Sequence, residues 1–131
     1  MLARVAKQSI RLASYNFTVV GKDLPVKDIR TSDPFFTLMV DSNRVYKSEV
    51  VKKNLNPTFK GFTLSDSKVG GDNDLVRVEV IDKDMFDDDD HMGLGYFKIS
   101  DLARDGSRIV YLSDEETNQS AGQLEIKMTV A

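Results

Sequence analysis

Three features of the 131-residue sequence predict an all-β fold, an antiparallel β-sandwich with Greek-key connections. Apolar residues recur with period two in several short runs, as in strands with one buried face. Turn formers interrupt these runs roughly every 8–12 residues, and only residues 100–104 read as a helical turn. Seven or eight short strands at that spacing pack best as two antiparallel layers.

Taken in order, the N-terminal run changes phase. Ile10 and Leu12 do not alternate with Tyr15, Phe17 and Val19, which implies a bulge, bend or break near Ala13 and Ser14 before a strand over 17–20. Residues 35–40 form a β-branched and aromatic run, a core strand. The turn Asp41-Ser42-Asn43 precedes a strand over 46–51, and Asn56-Pro57 precedes one over 59–64. After Gly70-Gly71, residues 75–81 alternate around Val76, Val78 and Val80. Gly93 marks a turn before a strand over 96–99, and a further strand covers 109–112. Residues 123–130 alternate most regularly, with Leu124, Ile126, Met128 and Val130 inward and Gln123, Glu125, Lys127 and Thr129 facing water.

A chain of this length fits one domain, residues 1–131, and leaves no room for a second, catalytic one. With no cysteine it has neither disulfides nor thiolate metal sites, which favours a reducing, cytoplasmic setting. No apolar run approaches the ~20 residues that span a bilayer. Arg4, Lys7, Gln8 and Arg11 break the apolar positions of the first twenty residues, so no signal peptide is legible. Ending on a strand hints at a segment cut from a longer protein.

The net charge of −3 is unevenly spread. Eight aspartates fall in two stretches: Asp28 and Asp33, then Asp82, Asp84 and Asp87 to Asp90. Setting them aside leaves 18 basic residues against 13 acidic ones. One intensely negative zone on a basic remainder suits a cation bound beside a polyanion.

The stretch from Val80 to Gly93 begins as a strand and runs into acid. Asp82 and Asp84, two apart at a strand end, project from one side, and a loop returning through Asp90 brings a third carboxylate beside them. Such groups repel by ~1 kcal/mol per pair at 4 Å even in water, and a divalent cation relieves this. Six to eight oxygen ligands suit calcium, whereas zinc, copper or iron would call for His or Cys; the chain has one His and no Cys. The acids lack EF-hand spacing and strands flank them, so calcium must be held across loops. The second contributor is the stretch with Asp28 and Asp33, just before the strand that follows Pro34.

The runs TSDPFF (31–36), LNPTF (55–59), DKDMF (82–86) and DDHMG (89–93) resemble the motifs of the C2 domain family in order, spacing and strand context. The resemblance spans most of the chain. It implies an eight-stranded Greek-key sandwich of two four-stranded sheets, in which aspartates of the first and third connecting loops chelate Ca2+. Asp28 and Asp33 match the loop-one ligands, and Asp82, Asp84 and Asp90 those of loop three. Asp87 matches an additional ligand of some members, and Lys27 and Lys83 match positions that contribute backbone oxygen. The spacing from Asp28 to Asp33 is one residue shorter than in synaptotagmin-type members and is similar to the plant membrane-recruited ones, which leaves the number of ions open.

The resemblance also implies a calcium-dependent phospholipid-binding module that recruits itself or a parent protein to anionic membranes. Met85 and Phe86, with Ile29 in the matching place of loop one, are the tip residues that family members insert into the lipid interface, and Arg30 and Lys83 are placed to pair with lipid phosphates. Arg44, Lys47, Lys52 and Lys53 match a strand patch used for phosphoinositides, but the patch is thin and a solvated strand face is the favoured reading. Asp88 and Asp89 read as solvated loop acids, and His91 as a surface loop residue with no catalytic role. No nucleophile–base pair or phosphate loop is visible, so no enzymatic activity is expected. The expected state is a monomer without nucleic-acid partners, at the cytoplasmic face of membranes in signalling. The alternative reading is a calcium-independent protein–protein interaction module whose acids are electrostatic decoration.

Overall fold

Alternation becomes architecture in a computed structural model, which describes residues 13–27, 31–69, 75–84 and 88–131. Eight strands form in it: β1 (Ser14–Lys22), β2 (Pro34–Val40), β3 (Asn43–Lys47), β4 (Phe62–Ser65), β5 (Leu75–Asp82), β6 (Asp90–Lys98), β7 (Ser107–Ser113) and β8 (Ser120–Val130). One helix, α1 (Ile99–Asp105), lies between β6 and β7. Every strand pairing is antiparallel, in the order β3-β2-β5-β6-β7-β8-β1-β4.

The ladder narrows to one pair, Leu94 opposite Ser113, between β6 and β7. There the sheet folds over into two four-stranded halves, as the eight-stranded sandwich requires. Small residues make the fold-over possible. A Cβ on Gly95 would lie 2.5 Å from Val110 Cγ1, and one on Gly93 would lie 2.9 Å from the Ala121 Cβ. Gly93 is therefore not the turn that its residue type predicts; it sits within β6 because β7 and β8 pass too close for a side chain.

The core fills from the alternating positions. Val76, Val78 and Val80 of β5 and Leu124, Ile126 and Met128 of β8 are buried. Val130 departs from the expected pattern at 69% exposure, because it lies at the end of β8 where the opposing layer gives out. Phe36 of β2 lies 4.8 Å from Phe59 and 6.0 Å from Phe62 of β4, so its ring joins the two halves. Tyr46 of β3 stacks on Phe62 at 3.8 Å and closes the open side of the sandwich. Phe35, on the outer face of β2, is buried under the Lys47 ammonium 5.1 Å from its ring centroid.

Several boundaries differ from the sequence pattern. The strand expected over 46–51 runs instead over Asn43–Lys47. The Ser48 amide still donates to the Phe36 carbonyl at 2.9 Å, but Ser48 Oγ takes the Phe36 amide at 2.9 Å and donates to the Glu49 carbonyl, so a side-chain bond replaces one of the two ladder bonds. Asp41 and Ser42, with φ of 49° and 68°, make the tight hairpin between β2 and β3. The expected helical turn is α1, which buries Ile99 and Leu102 and ends at Gly106 with φ of 78°. β1 begins at Ser14, and Ile10, Leu12, Gly70 and Gly71 lie outside the described residues.

Candidate cation site

Antiparallel pairing sets the ends of β1, β5 and β7 and the starts of β2, β6 and β8 at one end of the sandwich. Asp82 ends β5 and Asp90 begins β6, and the two are register partners; Pro34, at the start of β2, is the register partner of Asp82 on its other side. Three neighbouring strand ends thus bring Asp33, Asp82 and Asp90 together, with Asp84 two residues beyond Asp82. Asp82 is 0% exposed, Asp33 and Asp84 are half-buried and Asp90 is exposed. β6 starts earlier than the apolar pattern predicts because Asp90 and His91 belong to its ladder.

The two loops are joined by backbone groups. The Asp33 amide donates to Asp82 Oδ1 at 2.7 Å, and the Lys83 amide donates to the Asp33 carbonyl at 3.0 Å. Asp33 Oδ1 in turn accepts the Lys53 amide at 2.8 Å. These bonds fix Asp33 relative to Asp82, the kind of preorganisation that a multidentate cation site needs.

Two further residues shape the site. Ser32 is fully buried, and its hydroxyl accepts the Lys27 amide at 2.8 Å and donates to the Pro25 carbonyl at 2.8 Å. It ties Pro25 and Lys27 to the segment just before Asp33. Asp89, exposed as the solvated reading expects, also braces its own loop. Its carboxylate takes the Asp84 amide at 3.0 Å and lies 3.5 Å from Lys83 Nζ. The Asp84 amide first, and the Lys83 charge after it, hold its carboxyl below the usual aspartate range.

The turn between β7 and β8 leans on the same end. Asp114 accepts the Glu116 and Thr117 amides and faces Lys27 Nζ at 3.8 Å. The Thr117 and Glu116 amides, then Lys27, hold the Asp114 carboxyl below its ordinary value. A polar residue that opens a turn can signal such a brace; which loop it supports is decided by the tertiary fold.

Of the predicted site residues, Asp33, Asp82, Asp84, Asp90, Lys27 and Lys83 lie at this end, while Asp28, Ile29, Arg30, Met85, Phe86 and Asp87 lie outside the described residues. The predicted basic patch is split. Arg44 and Lys47 stand on β3, whereas Lys52 and Lys53 occupy the turn after it, which corrects their placement on a strand face. The donor set fits a hard cation, since Asp33, Asp82, Asp84 and Asp90 offer carboxylate oxygens.

Comparison with known proteins agrees with this fold. The chain belongs to the C2 domain family, whose model matches residues 17–128. C2 domains are typically non-catalytic and often bind membranes or lipids. Protein C2-DOMAIN ABA-RELATED 4 of Arabidopsis thaliana is 38% identical over 80 residues, 60% of this chain and 43% of that protein. The chain therefore spans less than half the length of this relative. The solved domain BON1-C2B superposes with a TM-score of 0.72 at 24% identity, covering 95% of this chain and 96% of that one. A calcium-bound structure of the paired C2 domains of extended synaptotagmin 2 superposes with a TM-score of 0.63 at 18% identity, covering 90% of this chain and 46% of that one. Among the described residues, no helix is long and apolar enough to cross a membrane.

Proposed function

We propose that the chain is a single calcium-dependent phospholipid-binding domain that docks on anionic membranes by the end carrying its aspartates. The observation that carries this reading is Asp82, a wholly buried carboxylate tied to Asp33 and opposite Asp90. Gathering like charges out of water costs several kcal/mol unless opposite charge offsets it. Asp28, Asp33, Asp82, Asp84 and Asp90 would hold the ion, with Asp87 and the Lys27 and Lys83 carbonyls as further oxygens. Bound Ca2+ supplies the positive charge that phosphate or carboxylate oxygens of a lipid headgroup complete.

Around that centre the side chains divide the work. Ile29, Met85 and Phe86 enter the interface, Arg30 and Lys83 meet headgroup phosphates, and Arg44, Lys47, Lys52 and Lys53 add attraction to phosphoinositides or other anionic lipids. The calcium-bound extended synaptotagmin 2 structure supports the reading by analogy of fold. The domain acts as a monomer at the cytoplasmic face of membranes, without catalysis. Co-sedimentation with vesicles tests this: pelleting with phosphatidylserine vesicles in calcium, but not in chelator or with phosphatidylcholine alone, is the expected result. Equal pelleting with and without calcium would refute it.

A further inference from the structure

A second cluster borders the aspartates where β5, β6 and the turn 114–119 meet, with His91 next to Asp90 in the chain. The His91 Nδ1 lies 2.7 Å from Glu79 Oε2, and the Glu115 amide donates to His91 Nε2 at 3.3 Å. A nitrogen that accepts an amide proton carries none of its own, so the proton of the neutral ring is on Nδ1 and is donated to Glu79. This is the arrangement in which a carboxylate orients an imidazole so that its other nitrogen can ligate a metal. Ligand atoms of Glu79, His91 and Glu115 all lie within 4.8 Å of one another. His91 also lines a cleft of about 320 Å³ with Lys27, Asp90, Asp114 and Glu116, which gives water access to the ring.

We infer that His91 Nε2 and the Glu115 carboxylate form a binding site for a first-row divalent transition-metal ion, with Glu79 fixing the ring. An imidazole beside carboxylates suits zinc and its neighbours, whereas calcium takes oxygen alone. The Glu115 side chain is 58% exposed, which leaves room around its carboxylate for an ion and its water. Its present partner is the Arg77 guanidinium at 3.9 Å, which the ion displaces. Binding exchanges the long amide contact on Nε2 for a metal bond, the Glu115 carboxylate and water completing the shell. No covalent or redox step is involved.

His91 is the sole histidine of the chain, so its ring signals report on the site without ambiguity. The test is a zinc titration of the whole chain in excess calcium, followed by 15N NMR of the imidazole. Saturable movement of the Nε2 resonance is expected. Glu115→Gln and Glu79→Gln should each weaken zinc at least ~10-fold, and Arg77→Gln should tighten it. The double variant Asp82→Asn with Asp84→Asn should bind zinc like the parent, which separates this site from the proposed calcium site. An unmoved His91 resonance overturns the inference. So does zinc affinity unchanged in both glutamate variants, which means adsorption to a lone ring, or zinc binding lost in the aspartate variant, which places the ion in the loops. Glu115 is exposed and Glu79 half-buried, and circular dichroism checks that both variants fold.

Discussion

Asp82→Asn removes one negative charge from the densest part of the site while keeping an oxygen at Oδ1 to accept the Asp33 amide now bonded at 2.7 Å. Calcium that binds only the folded state adds RT ln(1 + [L]/Kd), about 2.7 kcal/mol at a hundredfold excess over Kd. With an unfolding entropy of ~2.1 cal/mol/K per residue, a chain of this size gains ~10 °C in Tm. The parent should show that rise between chelator and millimolar calcium, and Asp82→Asn should lose it. Without calcium, the asparagine variant should melt within ~3 °C of the parent, since relief of repulsion offsets a weaker hydrogen bond. Asp82→Ala is the control. It leaves the Asp33 amide without its Oδ1 acceptor, which costs ~1–3 kcal/mol, or ~4–11 °C by the same conversion. Thermal unfolding followed by circular dichroism measures all three. A full calcium shift in Asp82→Asn would refute the cation role, and an asparagine variant as unstable as the alanine one would make Asp82 a structural group.

Other perturbations probe other parts. Phe36→Ala empties the ring that joins the two halves and should cost ~3–5 kcal/mol in urea unfolding; a loss under ~1 kcal/mol would mean that the core does not pass through this residue. Phe86→Ala should weaken calcium-dependent vesicle binding by ~1–3 kcal/mol while leaving calcium affinity in solution unchanged, and unchanged vesicle binding would remove the ring from the membrane contact. Asp114 has a folded-state pKa below its unfolded value, so its charge stabilises the fold above the ordinary aspartate pKa of ~3.9 and that contribution fades as pH falls through the lower folded value. Asp114→Asn should therefore melt below the parent at neutral pH and converge with it in acid; a gap that stays constant with pH would contradict this.

The strands were legible wherever one face is buried, because side-chain alternation follows directly from the pleat. β5 and β8 show this, with Val76, Val78, Val80, Leu124, Ile126 and Met128 all buried as the alternation requires. What failed were features decided by distant chain. Gly93 looks like a turn until β7 and β8 are known to pass over it, and Asp90 and His91 look like loop until β5 supplies their ladder. Val130 looks buried until the edge of the opposing layer is known. The aspartate spacing that points to a cation is local, and so it could be read. The bracing by Ser32, Asp89 and Asp114 arises from loops folding on themselves and on one another, and residue type alone announces only a polar turn. His91 is the sharpest case: its significance lies in Glu79 and Glu115, twelve and twenty-four residues away in the chain.

If lipid oxygens complete the coordination of calcium held by Asp33, Asp82, Asp84 and Asp90, calcium and membrane must raise each other's affinity by the same factor. Calcium titrations of the parent chain, with and without phosphatidylserine vesicles, measure that factor directly. The bridging reading predicts calcium affinity at least ~5-fold higher when the vesicles are present, the lower bound of ordinary coupling, and no change with phosphatidylcholine. Calcium affinity that is identical in the presence and absence of phosphatidylserine would contradict it.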